Sequence, residues 1–131
     1  MRVYLCRHAE SPPGEPDALR ELSPAGRLQA ARLAEQLATA DAPPAAVLAS
    51  PLLRARQTAE LVAAASDAEL RVVEALAPGA TVDGLRAALA GVAGPVATVG
   101  HQPDCSEIAL ELTGRDPGFP PGGMTALELE P

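Results

Sequence analysis

Aromatic and lysine side chains are nearly missing from this chain. Its 131 residues include one tyrosine, one phenylalanine and no tryptophan, and all ten basic residues are arginines. The formal net charge is −7. Proteins that bind nucleic acid carry a basic stripe, often interleaved with aromatic rings on which bases stack. A negatively charged chain without such a stripe is repelled by nucleic acid at long range, so we expect no nucleic-acid partner.

Long apolar runs and paired cysteines are also lacking. No segment approaches the ~20 apolar residues of a membrane span, and the run between Arg2 and Arg7 is too short for a secretion signal. We therefore predict a cytoplasmic protein with no membrane partner. Cys6 and Cys105 form no C-x-x-C pair, and we interpret them as small buried side chains in a reducing compartment. A site of His8, His101 and one cysteine would lack paired ligand spacing, so no metal and no cofactor is predicted.

Length and patterning favour one α/β domain over residues 1–131. The chain is 47% hydrophobic and 21% charged, and its core must be built from leucine, valine and alanine. Short apolar runs predict about five strands, at residues 3–6, 45–49, 70–73, 96–99 and, alternating at a sheet edge, 125–129. Helical patterns lie between them, near residues 24–40, 52–65, 85–89 and 106–112. Repeated βα units imply a three-layer α/β/α fold with a mostly parallel central sheet.

Polar residues follow three of the predicted strands. Arg7 and His8 follow the first strand, Ser50 and Arg54 follow the second, and His101 follows the fourth. In open α/β sheets, ligands bind at the carboxyl ends of the strands. An imidazole there can attack phosphorus through one ring nitrogen if the other is held by a hydrogen bond, while arginines neutralise the phosphoryl oxygens. This pattern predicts a phosphoryl site within an otherwise acidic surface.

The same residues carry a resemblance to a known family. The motifs are Arg-His at 7–8, Ser-Pro-Leu-Leu-Arg-Ala at 50–55 followed by Gln-Thr at 57–58, and Gly-His-Gln-Pro at 100–103. In this order the chain resembles the histidine phosphatase superfamily, with its phosphoglycerate mutase-like fold, and within it the small SixA-type phosphohistidine phosphatases. Ala9 stands where many relatives have glycine, and Gln102 where the small branch often has asparagine.

The resemblance implies roles for the motif residues. His8 would be the nucleophile, and Arg7, Arg54 and His101 would bind the phosphoryl oxygens and stabilise the transition state, with His101 most useful when protonated. Glu74 matches a recurrent acidic position only loosely and is the predicted proton donor. Asp83 and Asp104 are alternative acids, although each also fits the first turn of a helix. Ser50 would contact the substrate-side loop or cap a helix.

The substrate stays open between two classes. Larger relatives carry a long insertion before the second histidine that covers the pocket, and only residues 66–95 are available here. The resemblance therefore implies an open pocket, suited to a protein substrate that carries phosphohistidine. A small phosphorylated metabolite would use the same residues, and a noncatalytic phosphoryl-binding module would keep the arginines. A mutase needs a site that excludes water, and is disfavoured. The sequence leaves the oligomeric state open.

Overall fold

A five-stranded sheet organises the chain. The structure, a computed structural model, describes residues 1–130. The strands are β1 (Arg2–Arg7), β2 (Ala46–Ala49), β3 (Glu69–Val72), β4 (Val96–Gly100) and β5 (Met124–Glu128), in the order β3-β2-β4-β1-β5. The pairings β3-β2, β2-β4 and β4-β1 are parallel, and β5 is antiparallel to β1.

Four helices connect the strands: α1 (Pro24–Ala38), α2 (Leu53–Ser66), α3 (Val82–Leu89) and α4 (Asp104–Thr113). Short 3-10 helices lie at Asp17–Leu19 and Glu74–Leu76. The α1 helix begins as its sequence predicts, because the Ser23 hydroxyl accepts from the Gly26 amide and Pro24 occupies the first turn. None of the helices in the described part of the chain is long and apolar enough to cross a membrane.

The core lies on both faces of the sheet because side chains alternate along each strand. Tyr4 and Cys6 of β1 pack in a cluster with residues of α1 and α2. Val3 and Leu5 of the same strand pack in a second cluster with residues of α3 and α4. The sheet is thus the middle of three layers, and the predicted α/β/α class is confirmed.

The structure refines two details of the prediction. The α4 helix begins at Asp104, two residues before the predicted start, because the Gln102 carboxamide accepts from the Ser106 amide and supports the first turn. The terminal strand lies at a sheet edge, as its alternation indicates. Neither 3-10 helix follows from the sequence pattern, since three residues carry no measurable periodicity.

Strand order brings the predicted site residues together. Because β4 lies between β2 and β1, the residue after β4 is flanked by those that follow the other two strands. Arg7 is level with Gly100, and Ala49 is level with Val99. His8, Ser50 and His101 therefore leave the sheet side by side.

Candidate active site

A cavity of about 530 Å³ opens at the carboxyl edge of the sheet. Four of the predicted site residues line it, namely Arg7, His8, Arg54 and His101. The remaining lining residues come from the loop after β1 and from three other loops, and they are Glu10, Ser11, Asp17, Arg20, Pro78, Gln102 and Pro121. The structure thus joins the three strand-end motifs in one cavity.

A hydrogen bond to the backbone determines which ring nitrogen of His8 carries the proton. Its Nδ1 lies 2.6 Å from the carbonyl oxygen of Ala9. A carbonyl can only accept, so Nδ1 carries the proton and the lone pair resides on Nε2. Nε2 is the nitrogen that can attack an electrophile in the cavity.

The backbone that holds His8 is itself held by α2. The Ala9 amide donates to the Thr58 hydroxyl at 3.1 Å, and that hydroxyl donates to the Arg54 carbonyl at 2.9 Å. Thr58 is fully buried. The next residue back, Gln57, accepts from the Leu22 amide at 2.8 Å. The Gln-Thr pair of the motif therefore fixes both ends of the loop that follows β1.

The second histidine lies beside the first, with ring centroids 5.2 Å apart. The His101 Nε2 lies 2.7 Å from the Ser50 hydroxyl, which also accepts from the Leu52 amide. When Ser50 donates to Nε2, the proton of a neutral His101 resides on Nδ1. Within residues 1–130, Nδ1 is buried and has no hydrogen-bond partner. This nitrogen is a donor without a partner in the described part of the chain, and it belongs to a ring that lines the cavity.

Two arginines supply the positive charge. Arg7 donates through Nη1 to the Phe119 carbonyl at 2.9 Å, and its buried Nε has no partner in the described part of the chain. Arg54 is only 7% exposed and is bound by Asp17. The α2 and α4 helices also begin at this edge, so their positive ends add to the potential.

Both imidazoles are neutral at pH 7. Burial lowers the pKa of His8 to about 4, and the charges of Arg54 and Arg7 act in the same direction. Burial also lowers the pKa of His101 to about 4, helped by His8 and Arg54. The protonated form of His101, which the sequence identifies as the more useful one beside a phosphoryl group, is therefore not the form at neutral pH without a bound anion. A bound anion would raise the pKa of His101 by offsetting these cations.

The structure separates the remaining predicted residues from the cavity. Ser50 is fully buried behind His101 and reaches the site only through that ring. Glu74 is exposed at the start of the second 3-10 helix and does not line the cavity. Asp83 lies in the first turn of α3, whose cap is Thr81. Asp104 is buried and accepts from the Gly79 and Ala80 amides, which fixes the loop carrying Pro78.

Sequence reasoning missed Asp17 and Arg20. Both line the cavity from the loop after β1, and Asp17 accepts from Arg54 and from Arg20. The only sequence signal is an Asp-x-x-Arg spacing in a proline-rich segment, which by itself is common. Cys6 and Cys105 are buried free thiols, and burial raises the pKa of both. Across residues 1–130, no group of three or more His, Cys, Asp or Glu side chains could hold a metal ion.

The fold and the site define a class of protein: an α/β protein with two neighbouring histidines and two arginines at the carboxyl edge of its sheet. Residues 3–78 match the sequence model of the histidine phosphatase superfamily (branch 1), which spans β1 to the loop after β3. The chain belongs to the histidine phosphatase superfamily, and the predicted family is confirmed. His101 lies outside the matched segment, but the structure places it beside His8 in the same cavity.

Comparison with known proteins agrees with this assignment. An uncharacterised protein of Picosynechococcus sp. is 33% identical over 139 residues, covering 97% of this chain and 84% of that protein. A structure described as a candidate phosphohistidine phosphatase SixA of Agrobacterium tumefaciens superposes with a TM-score of 0.82 at 28% identity, covering 97% of this chain and 90% of that one. The protein histidine phosphatase SixA in complex with tungstate gives 0.81 at 27% identity, covering 98% and 95%. The phosphoglycerate mutase-like fold of the SixA type is therefore confirmed.

Proposed function

We propose that the protein hydrolyses phosphohistidine on a protein substrate, through a phosphoryl intermediate on its own His8. The observation that carries the proposal is the 2.6 Å contact between His8 Nδ1 and the Ala9 carbonyl. It leaves a neutral Nε2 as a nucleophile in a cavity that also contains Arg7, Arg54 and His101. Few other arrangements need a fixed imidazole tautomer surrounded by cations.

In the first step, the Nε2 lone pair attacks phosphorus and the bond from phosphorus to the leaving group breaks. Arg7 and Arg54 bind the non-bridging oxygens, and the unpaired Nδ1 of His101 donates to a third position. When the leaving group is the imidazole of a phosphohistidine, solvent first protonates its other ring nitrogen, and the nitrogen bonded to phosphorus leaves with the electron pair of the P–N bond, so a neutral imidazole departs. His8 then carries the phosphoryl group and a positive charge.

In the second step, water attacks the same phosphorus and the P–Nε2 bond breaks. Orthophosphate leaves with the oxygen of water, the water proton passes to solvent, and His8 returns to its neutral form. The cationic groups that bound the first transition state bind the second one, because both place charge on the same oxygens. No cofactor enters this scheme.

The acids around the cavity support a P–N substrate. Expulsion of an alkoxide requires general acid catalysis worth roughly 10²–10⁴ in rate. Glu74, the predicted donor, is exposed and outside the cavity. Asp17 lines the cavity, but its hydrogen bond with Arg20 and the charge of Arg54 lower its pKa, so it is ionised. A phosphohistidine ring can instead be protonated by solvent before it leaves.

A small-molecule phosphomonoesterase is the second candidate. Glu10 also lines the cavity, and its carboxylate accepts from the Ser23 hydroxyl at 3.1 Å. Were Glu10 to act as an acid, a small phosphorylated metabolite would become a substrate. A noncatalytic binding module is disfavoured, because binding alone gives no reason to hold the His8 tautomer. The two buried thiols fit a reducing compartment, and we propose the cytoplasm as the location.

The test measures phosphate release by the purified protein from a phosphohistidine-bearing phosphotransfer protein and from an alkyl phosphomonoester such as glycerol phosphate, whose alkoxide leaving group needs an acid. We expect preference for the phosphoprotein, and at least a roughly 10³-fold loss of activity in His8→Ala. Preference for the ester would favour the small-molecule phosphatase. Binding of tungstate without His8-dependent release from either substrate would favour the binding module.

A further inference from the structure

The loop after β1 places a carboxylate against the buried arginine of the site. Asp17 opens the 3-10 helix Asp17–Leu19 and lines the cavity. Its backbone carbonyl accepts from Arg54 Nη1 at 2.9 Å, and its carboxylate Oδ2 lies 3.4 Å from Arg54 Nη2. Two nitrogens of one guanidinium are thus bound by one residue.

This contact is the sole ion pair of Arg54 in the described part of the chain. Arg54 is 7% exposed, whereas the Asp17 side chain is 59% exposed. A buried guanidinium with a single two-point partner has its plane fixed by that partner. The Nη1 and Nη2 bonds use two of its five N–H groups, which leaves three for a phosphoryl group.

Asp17 is itself held by Arg20. The Arg20 Nη1 donates to Asp17 Oδ1 at 2.9 Å, Nε donates to the Pro12 carbonyl at 2.9 Å, and Nη2 donates to the Ser11 carbonyl at 2.7 Å. All three Arg20 nitrogens are occupied within the loop. Arg20 therefore clamps the loop and the carboxylate, and a chain of contacts runs from Arg20 through Asp17 to Arg54.

We infer that Asp17 is a positioning residue for the proposed hydrolysis. By binding Arg54, it sets the plane in which the guanidinium meets the phosphoryl oxygens. This inference rests on the proposed function. Asp17 does not touch the reacting atoms in this scheme and acts through Arg54. The opposite role, in which Asp17 occludes Arg54 and must leave when substrate binds, makes the opposite prediction for its removal.

Asp17→Ala separates the two roles. A misplaced oxyanion ligand costs most in the transition state, so we expect kcat for the phosphohistidine substrate to fall roughly 10- to 100-fold. Affinity for tungstate, measured by calorimetry, should change by less than about fivefold, since an exposed carboxylate has a weak and screened Coulomb effect. Unchanged or increased kcat in Asp17→Ala would overturn the inference, and an increase would identify Asp17 as an occluding group.

Asp17→Ala combined with Arg54→Lys tests whether Asp17 acts through Arg54. Lysine keeps the charge but has a single nitrogen in place of the planar guanidinium, so it has no plane for the carbonyl and carboxylate of Asp17 to fix. We expect Asp17→Ala to change kcat by less than about twofold in the Arg54→Lys background. An equal loss in both backgrounds would show that Asp17 acts on something other than Arg54.

Asp41→Ala serves as the matched control, because Asp41 is an exposed aspartate that makes no ion pair within residues 1–130. It should match the wild type in kcat, tungstate affinity and melting temperature. A wild-type protein that releases no phosphate would overturn the proposed function. An active wild type with an equally active Asp17→Ala variant would overturn only the positioning role.

Discussion

The orientation of the His101 ring depends on one buried hydroxyl, that of Ser50. Without it, Nε2 loses its partner at 2.7 Å and the ring is free to adopt the other tautomer, which places a lone pair instead of a proton on Nδ1. We predict that Ser50→Ala lowers kcat by roughly 10- to 100-fold, in line with about 1–3 kcal/mol for an unsatisfied buried polar group. Steady-state kinetics and the nitrogen chemical shifts of the imidazole measure both effects.

Thr98→Val is the matched control for Ser50→Ala. The Thr98 hydroxyl is also buried, in β4, but it has no hydrogen-bond partner in residues 1–130. Its replacement by an isosteric methyl group should leave kcat unchanged. If Ser50→Ala retained full activity and the same imidazole tautomer, His101 would not depend on Ser50.

The position of His8, the proposed nucleophile, depends on a second buried hydroxyl, that of Thr58. Thr58→Val removes the acceptor of the Ala9 amide and leaves a buried N–H unsatisfied, which costs about 1–3 kcal/mol in the free energy of unfolding. Since Ala9 also carries the carbonyl that fixes His8, we predict a loss of kcat as well as of stability. Urea unfolding and turnover test this. Thr58→Ser, which keeps the hydroxyl, should recover most of both; a Thr58→Ser variant as impaired as Thr58→Val would show that the hydroxyl alone does not support the loop.

At the scale of elements, the start of α1 touches the loop that carries the site. A Cβ at Gly26 would overlap the carbonyl oxygen of Glu10, a backbone atom that cannot rotate away. A glycine inside a helix usually costs stability relative to alanine, by roughly 0.5–1 kcal/mol. Here we predict the reverse, with Gly26→Ala destabilising by about 1–3 kcal/mol through displacement of the loop.

Chemical denaturation of Gly26→Ala checks the sign of that change. Gly84→Ala in α3 is the control, because its Cβ would meet its nearest atom, the Thr81 hydroxyl, at 3.3 Å. It should cost much less. A stabilised Gly26→Ala protein would mean that α1 and the loop can move apart freely.

The strands and α-helices can be predicted from the sequence because each carries a local signal. The β1 strand contains a continuous apolar run, β4 has one interrupted by Thr98 alone, and α1 has a serine cap followed by proline. The ends of the predicted strands then indicate His8, Arg54 and His101 as site residues. The Asp17 contact cannot be read in this way, because it joins residues 37 positions apart through a three-residue helix with no periodic pattern.

The position of Glu74 is a second feature that the sequence does not predict correctly. Its place in the sequence suggests an acid near the site, but the second 3-10 helix leaves it exposed and outside the cavity. Ser50 lies at the predicted strand end, yet its side chain contacts His101 and not the cavity. Sequence patterns place these residues after the correct strands, β3 and β2, whereas the direction of each side chain depends on backbone angles that no local pattern records.

At the scale of the whole molecule, two buried neutral histidines make stability depend on pH. The pKa of each is lowered from 6.5 to about 4 in the folded state. Between these values the unfolded chain binds protons that the folded chain excludes, so the free energy of unfolding must fall as the pH is lowered from 6.5 towards 4. The slope is at most ~1.4 kcal/mol per pH unit for each histidine. The slope from each histidine is half of its maximum near pH 6.5 and fades above about pH 7.5, where the unfolded chain no longer binds these protons.

The carboxylates affect stability at a lower pH than the histidines do. The two contributions to the pH dependence can therefore be separated. Hydrogen bonds with arginines lower the pKa of Asp17, Glu69 and Glu128, so the stability that these groups contribute is lost only as the pH falls below their unfolded values near 4. Urea midpoints measured from pH 7 to pH 4.5 should therefore decline in the wild type and stay nearly level in a His8→Gln/His101→Gln variant. The same decline in both proteins would assign the pH dependence to other groups. Tungstate should reduce the decline in the wild type, because an anion between the two rings and the arginines favours the protonated form of His101 and lessens the proton excess of the unfolded chain.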